Sequence, residues 1–480
     1  MQEKLILFGA GRNGKKALAK YGKDKVAYFC DNDETKQGMF IEEIEVISFA
    51  KMKLLHDEGY VIMITPANSA FLVGQLEMEG IYDYLIFFDD ETNLFMGNAE
   101  KNEIAYDKQN KKLQKIVMES SEENLLNSVV NFKKLSAEAL RLNKDEGLSL
   151  FHMGFNNEGY YYGNVQSLME YAGLRQEDIK YFPIVSHQAC FPLYSIAFDY
   201  RTGVVFQGEY FKEKVHRRFP YIPVFSVGPY IHYAKGIYNK EQVIKEKKRL
   251  GKMLLVFMPH TIENTQREYS REKFVDSVFE HYSKKFDTIW MCVYWADIND
   301  AVCDYAESKG IHIVSAGFRF DTQFDNRLKT IIELADAVVC GDIGTFIGYS
   351  FYMEKPIYRL DISDRTTNCN KEFQGGIQQK LQFSEEYNIF VDKFYDVFGS
   401  KEGNTDKQKE WLEGMNGFNL IRTPYYIKTM FEICKDISLK CNGKLEDYSE
   451  AVISTYKHYD KNNEFYKMTI LKNALGNCIN

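Results

Sequence analysis

Short, unbroken apolar runs recur along this chain, each followed by a charged segment of helix length, and that alternation limits the fold more than any other feature. The first four runs fall at residues 5–10, 26–30, 60–65 and 84–88. A strand covered on both faces reads as continuous apolar sequence, and strands joined through helices lie parallel, so the pattern predicts βαβ units around a parallel sheet. The pattern returns at residues 253–258, 288–294, 311–315, 337–340 and 357–360, with helical segments near 271–285, 299–309, 326–335 and 345–353. Five strands and four helices there predict a second doubly wound sheet. Between the two sets, strand-like runs at 148–153, 182–185 and 204–207 precede a stretch rich in Pro and Tyr, which predicts a smaller α/β unit with irregular edges.

The expected class is therefore α/β: an N-terminal Rossmann-like parallel sheet, then two Rossmann-like lobes, then a helical C-terminus. A chain of 480 residues exceeds one ordinary core. The expected division is a nucleotide-binding-type unit at 1–90, a helical connector at 91–146, an acceptor-side lobe at 147–250, a donor-nucleotide lobe at 251–400 and a helical segment at 401–480. In the connector, Ser120 and Glu123 have capping-box spacing before Leu125 and Leu126.

Charge and cysteine usage narrow the partners. The 60 basic and 68 acidic residues are interspersed and leave a formal charge of −8, so no domain-wide basic field exists to hold a nucleic-acid backbone. The nine cysteines are scattered and never form a C-x-x-C pair, which fits reduced thiols in a cytoplasmic protein. Gly11, Gly14, Lys15 and Lys16 interrupt the first apolar run as a signal-peptide core, and no run reaches the ~18 apolar residues of a membrane helix. The expected location is the cytoplasm, with peripheral contact at the inner membrane face left open. No metal site is expected: H-E-x-x-H, cysteine clusters and EF-hand spacing are all missing.

The first motif is Gly9-Ala10-Gly11-Arg12-Asn13-Gly14, between the first strand and the first helix. Glycines at this spacing allow a tight turn, close approach of backbone to phosphate, and close packing of helix on strand. Asp31 follows Gly11 by twenty positions at the end of the second strand, where an acid can accept from a ribose hydroxyl. NAD(P) is the cofactor such a loop could hold, although none is required by the expected chemistry. With its continuation through Asp31-Asn32-Asp33, Gly38, Ile44 and Val46, this region resembles the small Rossmann units appended to bacterial polysaccharide and sugar-modifying proteins. The resemblance implies a domain, not a reaction.

The second constellation comes from the ends of the later strands, since an open α/β sheet binds ligands at its carboxyl edge. Those ends carry Pro259-His260-Thr261, Tyr294-Trp295, Gly317-Phe318-Arg319 and Gly341-Asp342-Ile343-Gly344-Thr345. Turn chemistry alone would also favour Gly and Asp there. Gly344 and Thr345 open a helix whose first N–H groups lack intrahelical partners and could take a diphosphate. Arg319 could add a fork to the same oxygens if its strand neighbours the one ending at Cys340.

The stretch from Leu334-Ala335-Asp336 through Gly344-Thr345, ending in Glu354-Lys355-Pro356-Ile357, resembles the C-terminal half of GT-B type glycosyltransferases. The resemblance implies that this stretch grips the donor nucleotide and diphosphate; taken with the strand-end residues above, the candidate contacts are His260, Thr261, Gly317, Arg319, Gly341, Asp342, Gly344 and Thr345. One departure is Tyr349-Ser350, where that family often carries a ribose-binding glutamate. The architecture is also similar to polyol-phosphate transferases of wall and capsule synthesis, which use a histidine base. His152 and His187 follow apparent strands on the acceptor side, and a histidine that titrates near neutrality suits deprotonation of an attacking hydroxyl. Glu158 is the reserve base. The expected activity is metal-independent transfer of a sugar or polyol phosphate from a nucleotide-activated donor to a glycan, or lipid-linked glycan, acceptor. Two alternatives stay open: an NAD(P)-dependent oxidoreductase or sugar-nucleotide modifier working from the first loop, and a non-catalytic nucleotide-binding component of polysaccharide assembly.

Overall fold

The computed structural model describes residues 4–66, 72, 75–76, 79–81, 84–87, 132–134, 136–137, 162–175, 181–186, 203–218, 221–259, 265–268, 270–317, 321–341, 343–360, 366–369, 393–399, 405–441 and 448–476. Among these, β1 (Leu5–Phe8), β2 (Val26–Cys30), β3 (Phe40–Ile41), β4 (Ile44–Ile47), β5 (Val61–Ile64) and β6 (Tyr84–Ile86) form one sheet in the order β3-β4-β2-β1-β5-β6. Only the β3–β4 pair is antiparallel. Leaving β3 aside, the parallel strands run 3-2-1-4-5 in chain order, the arrangement of a dinucleotide-binding half. The helices α1 (Arg12–Tyr21) and α2 (Phe49–Asp57) supply two of the crossovers. The expectation of a single helical segment between residues 31 and 59 is corrected: β3 and β4 lie there too, and Glu45 breaks what would otherwise be an apolar run.

Farther along, β7 (Ile184–Val185), β8 (Val204–Phe206) and β9 (Val224–Ser226) make a small, wholly parallel sheet. Strand β9 sits inside the Pro-rich stretch, directly after Pro223, where sequence periodicity was too short to mark it. Two helices flank this unit, α3 (Asn164–Ala172) and α4 (Lys212–Arg218), and α5 (Lys240–Leu250) leads out of it through a capping box made by Asn239 and Gln242.

A five-stranded sheet follows, of β10 (Met253–Phe257), β12 (Thr288–Cys292), β13 (Ile311–Val314), β14 (Ala337–Cys340) and β15 (Ile357–Arg359), while β11 (Thr265–Glu268) pairs with β16 (Thr366–Cys369) as a separate antiparallel ribbon. Its helices are α6 (Arg271–Tyr282), α7 (Ala301–Ser308), α8 (Phe324–Leu334) and α9 (Thr345–Tyr352). All five strands and four helices match the sequence expectation to within a few residues. The order β13-β12-β10-β14-β15 is again 3-2-1-4-5, with every pairing parallel. The C-terminal part is helical: α10 (Asp406–Asn416), α11 (Pro424–Cys441), α12 (Tyr448–Lys461) and α13 (Phe465–Leu475).

Core burial separates these units. The first sheet has two apolar clusters of its own, built only from residues 5–87. A single larger cluster joins the small sheet, one face of the five-stranded sheet and the C-terminal helices. Fully buried rings such as Phe206, Phe211 and Phe225 each contribute about 1.5–3 kcal/mol there. The C-terminal part returns to the small sheet: Phe431 of α11 stacks on Phe182, just before β7, at 6.3 Å, and Arg422, just ahead of α11, donates to Ser226 O in β9 at 2.9 Å. The chain is thus an α/β protein with an N-terminal Rossmann-like sheet, two further α/β lobes and a helical C-terminus, the elements of the GT-B-like arrangement that the resemblance implies. Of the expected connector, residues 132–134 and 136–137 are helical, while Ser120 and Glu123 lie outside the described residues.

Candidate functional site

In the five-stranded sheet the strand order reverses between β10 and β14, which pair in register with Phe257 opposite Cys340. Chains leaving these two strands in opposite directions open a crevice at their carboxyl ends. Met258 and Pro259 leave β10 on one side of it, and Gly341, Ile343, Gly344 and Thr345 leave β14 on the other. His260, Thr261 and Asp342 lie outside the described residues.

At the start of α9 the N-cap is Gly344, in extended conformation, and Thr345 is the first helical residue, so Thr345 is not the cap. The glycine has a packing reason. A Cβ there would lie 2.3 Å from the Phe346 ring, which stacks on Phe257 at 4.0 Å and 15°. Close approach at Gly344 is therefore already used by an aromatic ring, a role the sequence pattern assigned to phosphate.

Other residues of the motif tie the fold together. Asp336 accepts from Met253 N at 2.8 Å while its own N–H donates to Met253 O at 2.9 Å, fixing the start of β14 against β10. Lys355 donates to Glu333 O at 3.1 Å and Ala335 O at 2.7 Å, placing an ammonium on the C-terminal carbonyls of α8, where the helix dipole favours it. Burial lowers its pKa to about 8. Gly348 packs on α10, where a Cβ would meet Asn416 Nδ2 at 2.2 Å, and Asn416 in turn donates to Gln207 at the end of β8 at 2.9 Å. Ser350, of the Tyr349-Ser350 pair, is fully buried and its hydroxyl has no partner.

Strand β13 is at the sheet edge, with β12 and β10 between it and β14. The condition placed on Arg319 is not met; Arg319 itself lies outside the described residues. Gly317 has a structural task instead. Its φ is +102°, and a Cβ would lie 2.5 Å from the guanidinium of Arg327. That buried arginine donates to Ala316 O at 2.8 Å, pairs with buried Asp321 and lies 5.3 Å over the Phe132 ring.

The first glycine loop also sits at a strand-order reversal, between β1 and β5. Gly9 has φ +114° and its would-be Cβ meets Pro66 and Thr65 within 2.7 Å; the Cβ of a residue at position 14 would meet Gly9 O at 2.1 Å. Nothing lies within 4 Å of such an atom at Gly11, the N-cap of α1, so backbone at that point is open to approach. Arg12 begins the helix on the exposed side. Of the three glycines, Gly9 and Gly14 are closed in by neighbouring atoms and Gly11 is not. Asp31 fits ribose poorly: its Oδ2 accepts from Ala10 N at 2.9 Å and Lys36 Nζ at 3.1 Å, and its Oδ1 accepts from Asp33 N at 3.0 Å. Three of its roughly four acceptor positions are used, one by Ala10 in the glycine loop and two by Asp33 and Lys36 after β2.

His152, Glu158 and His187, the candidate bases, lie outside the described residues. A described histidine that sequence reasoning passed over is His232, after β9, whose Nδ1 lies 2.6 Å from the Tyr352 hydroxyl; burial lowers its pKa. This contact joins the small sheet's unit to the end of α9. The thiols of Cys292, Cys303 and Cys340 are pushed up to about 12 by burial and act as small apolar groups. No helix among the described residues is long and apolar enough to cross a membrane.

No family model matches this chain. No curated protein matches it either. Among solved structures, UDP-GlcNAc 2-epimerase from Neisseria meningitidis bound to UDP-GlcNAc is 13% identical, covering 91% of this chain and 100% of that one, with a TM-score of 0.26. The wall teichoic acid polymerase TagF, soaked with CDPG, is 9% identical over 91% of this chain and 89% of that one, with a TM-score of 0.27. UGT89C1 from Arabidopsis thaliana is 10% identical over 95% and 100%, with a TM-score of 0.23. At these scores the superpositions carry no argument about site or activity, which rest on the geometry above.

Proposed function

We propose that this protein is a glycosyltransferase-like enzyme that takes a sugar or polyol phosphate from a nucleotide-activated donor, with the donor in the β10–β14 crevice and a glycan hydroxyl as acceptor. The observation that carries the reading is the strand-order reversal between β10 and β14, since ligands of open α/β sheets lie where neighbouring strands send their chains apart. The first helical N–H groups of α9 would face the donor's diphosphate, and a base from the acceptor side, His187, His152 or Glu158, would take the hydroxyl proton as the new bond forms. The chain division at 1–90, 91–146, 147–250, 251–400 and 401–480 belongs to this reading, with the donor lobe fourth.

The first sheet supports a second, independent binding reading. Gly11 leaves room for a pyrophosphate, and NAD(P) or another nucleotide would meet the start of α1 there. The engaged Asp31 disfavours a tight ribose contact, so we assign this unit binding rather than the transfer chemistry. A thermal-shift panel of UDP-, CDP-, GDP- and CMP-sugars, CDP-polyols and NAD(P) tests both readings. A ligand at a hundredfold excess over its Kd adds about 2.7 kcal/mol of stability. A shift with NAD(P) alone, and none with any activated sugar or polyol, would overturn the transferase reading.

A further inference from the structure

The first sheet reverses its strand order between β1 and β5, and contacts from both sides draw that reversal shut. The loop after β2 meets the helical segment between β5 and β6: Asn32 Nδ2 donates to Gln75 Oε1 at 2.7 Å, and Gln75 Nε2 donates back to Asn32 Oδ1 at 3.2 Å. Strands β2 and β5 flank β1, so this amide pair spans the carboxyl end of β1, where the glycine loop begins. Closer to the strands, Thr65 Oγ1 donates to Gly9 O at 2.7 Å and Pro66 packs against Gly9, which holds the chain leaving β5 on the chain leaving β1.

Asp31, the residue before Asn32, accepts from Ala10 N at 2.9 Å. That contact joins the two groups such a fold offers to a nucleotide, a loop N–H for phosphate and an acid at the end of β2 for ribose, and each satisfies the other. A nucleotide lying in the crevice with its phosphates at Gly11 would bring its nucleoside to Asp31 and Asn32, the corner that Gln75 holds. The corner is anchored on both sides. Leu72 and Leu76, flanking Gln75, are buried in the first unit's own core, and Gln37 Nε2 donates to Asp31 O at 3.0 Å.

Asn32 and Gln75 are both half-buried, and each uses one donor and one acceptor on the other. At the usual net worth of a hydrogen bond, parting the two amides weakens a ligand that requires it by about 5- to 150-fold. We propose that the Asn32–Gln75 pair is a latch across the first unit's crevice that selects against nucleosides: while it is closed NAD(P) is held off, and a ligand that needs a nucleoside site must first part the two side chains. The inference rests on the reading of this unit as a binding unit and states what that unit turns away.

Titration calorimetry of the full chain with NAD+, ATP and inorganic pyrophosphate tests it. Gln75→Ala and Asn32→Ala each remove the pair, and each should tighten NAD+ and ATP binding at least about fivefold over the wild type. The double variant should gain no more than either single one, because the same contact is lost in all three. Pyrophosphate, which carries no nucleoside, should bind all four proteins alike. Melting temperatures of the variants check that each is folded. NAD+ and ATP affinities that do not rise in the single variants, or that rise additively in the double variant, overturn the latch; with pyrophosphate still bound, or with NAD+ bound equally by all four proteins, the binding reading stands. Failure of all three ligands to bind any of the four proteins overturns the binding reading as well as the latch.

Discussion

Replacing Asp325 by Asn should stabilise the protein, and by an amount that depends on pH. Burial raises the Asp325 carboxyl well above its ordinary range. Lys329 opposes this from the same helix, and Tyr230 faces the carboxyl from the turn after β9; its hydroxyl already donates to Val205. In the unfolded chain the carboxyl titrates near ~3.9. A raised folded-state pKa means that this group's full stability is present below the unfolded value and is lost as pH rises toward the folded one. Over that window the wild type should lose about 1.4 kcal/mol per pH unit relative to Asp325→Asn, which does not titrate, and the difference should level off once the folded carboxyl ionises. Near pH 4 the two proteins should differ little, because both then carry a neutral group of similar shape. Tryptophan emission is a suitable probe, since Trp290, Trp295 and Trp411 all lie outside the first sheet and so report the part that holds Asp325. Thermal melts of both proteins at half-unit steps from pH 4 to pH 8 give the comparison. A difference that is flat across this range, or a wild type that gains on the variant as pH rises, would refute the reasoning.

Three further outcomes follow from the packing. Gly14→Val should unfold the first sheet selectively, read as early tyrosine or proteolytic exposure of residues 5–64, because its Cβ would meet Gly9 O, whereas Gly11→Ala should leave the melting profile unchanged. Arg327→Ala should cost about 3–5 kcal/mol in tryptophan-monitored unfolding, since it leaves buried Asp321 without its partner; a loss under 1 kcal/mol would show that the pair is not enclosed. Gly348→Leu should loosen α9 from α10, seen as faster amide exchange at residues 345–352 and 406–416, while exchange in the first sheet stays as it was.

Much of this architecture was legible because it rests on local pattern. The apolar runs of β1, β2, β10, β12 and β14 are strands covered on both faces, and Gly9 and Gly14 are required wherever a helix packs this closely on the strand before it. Strand order was not legible, since it depends on which apolar edges meet, and so the adjacency proposed for Arg319 failed. Residue roles in the C-terminal motif were half legible. Asp336 and Lys355 join elements close in space for reasons of fold, whereas Gly341 and Gly344 follow the carboxyl end of β14. The Gln207–Asn416 contact spans 209 positions, so no periodicity could have announced it.

Amide exchange with and without ligand tests the central claim most directly. The activated donor that gives the largest thermal shift would be added at saturation, and peptides covering the whole chain compared. The account predicts slowed exchange in peptides that span residues 253–261 and 337–348, the two chains leaving β10 and β14, with the first sheet unaffected. Protection confined to residues 5–31, with residues 253–261 and 337–348 exchanging as in the free protein, would contradict it.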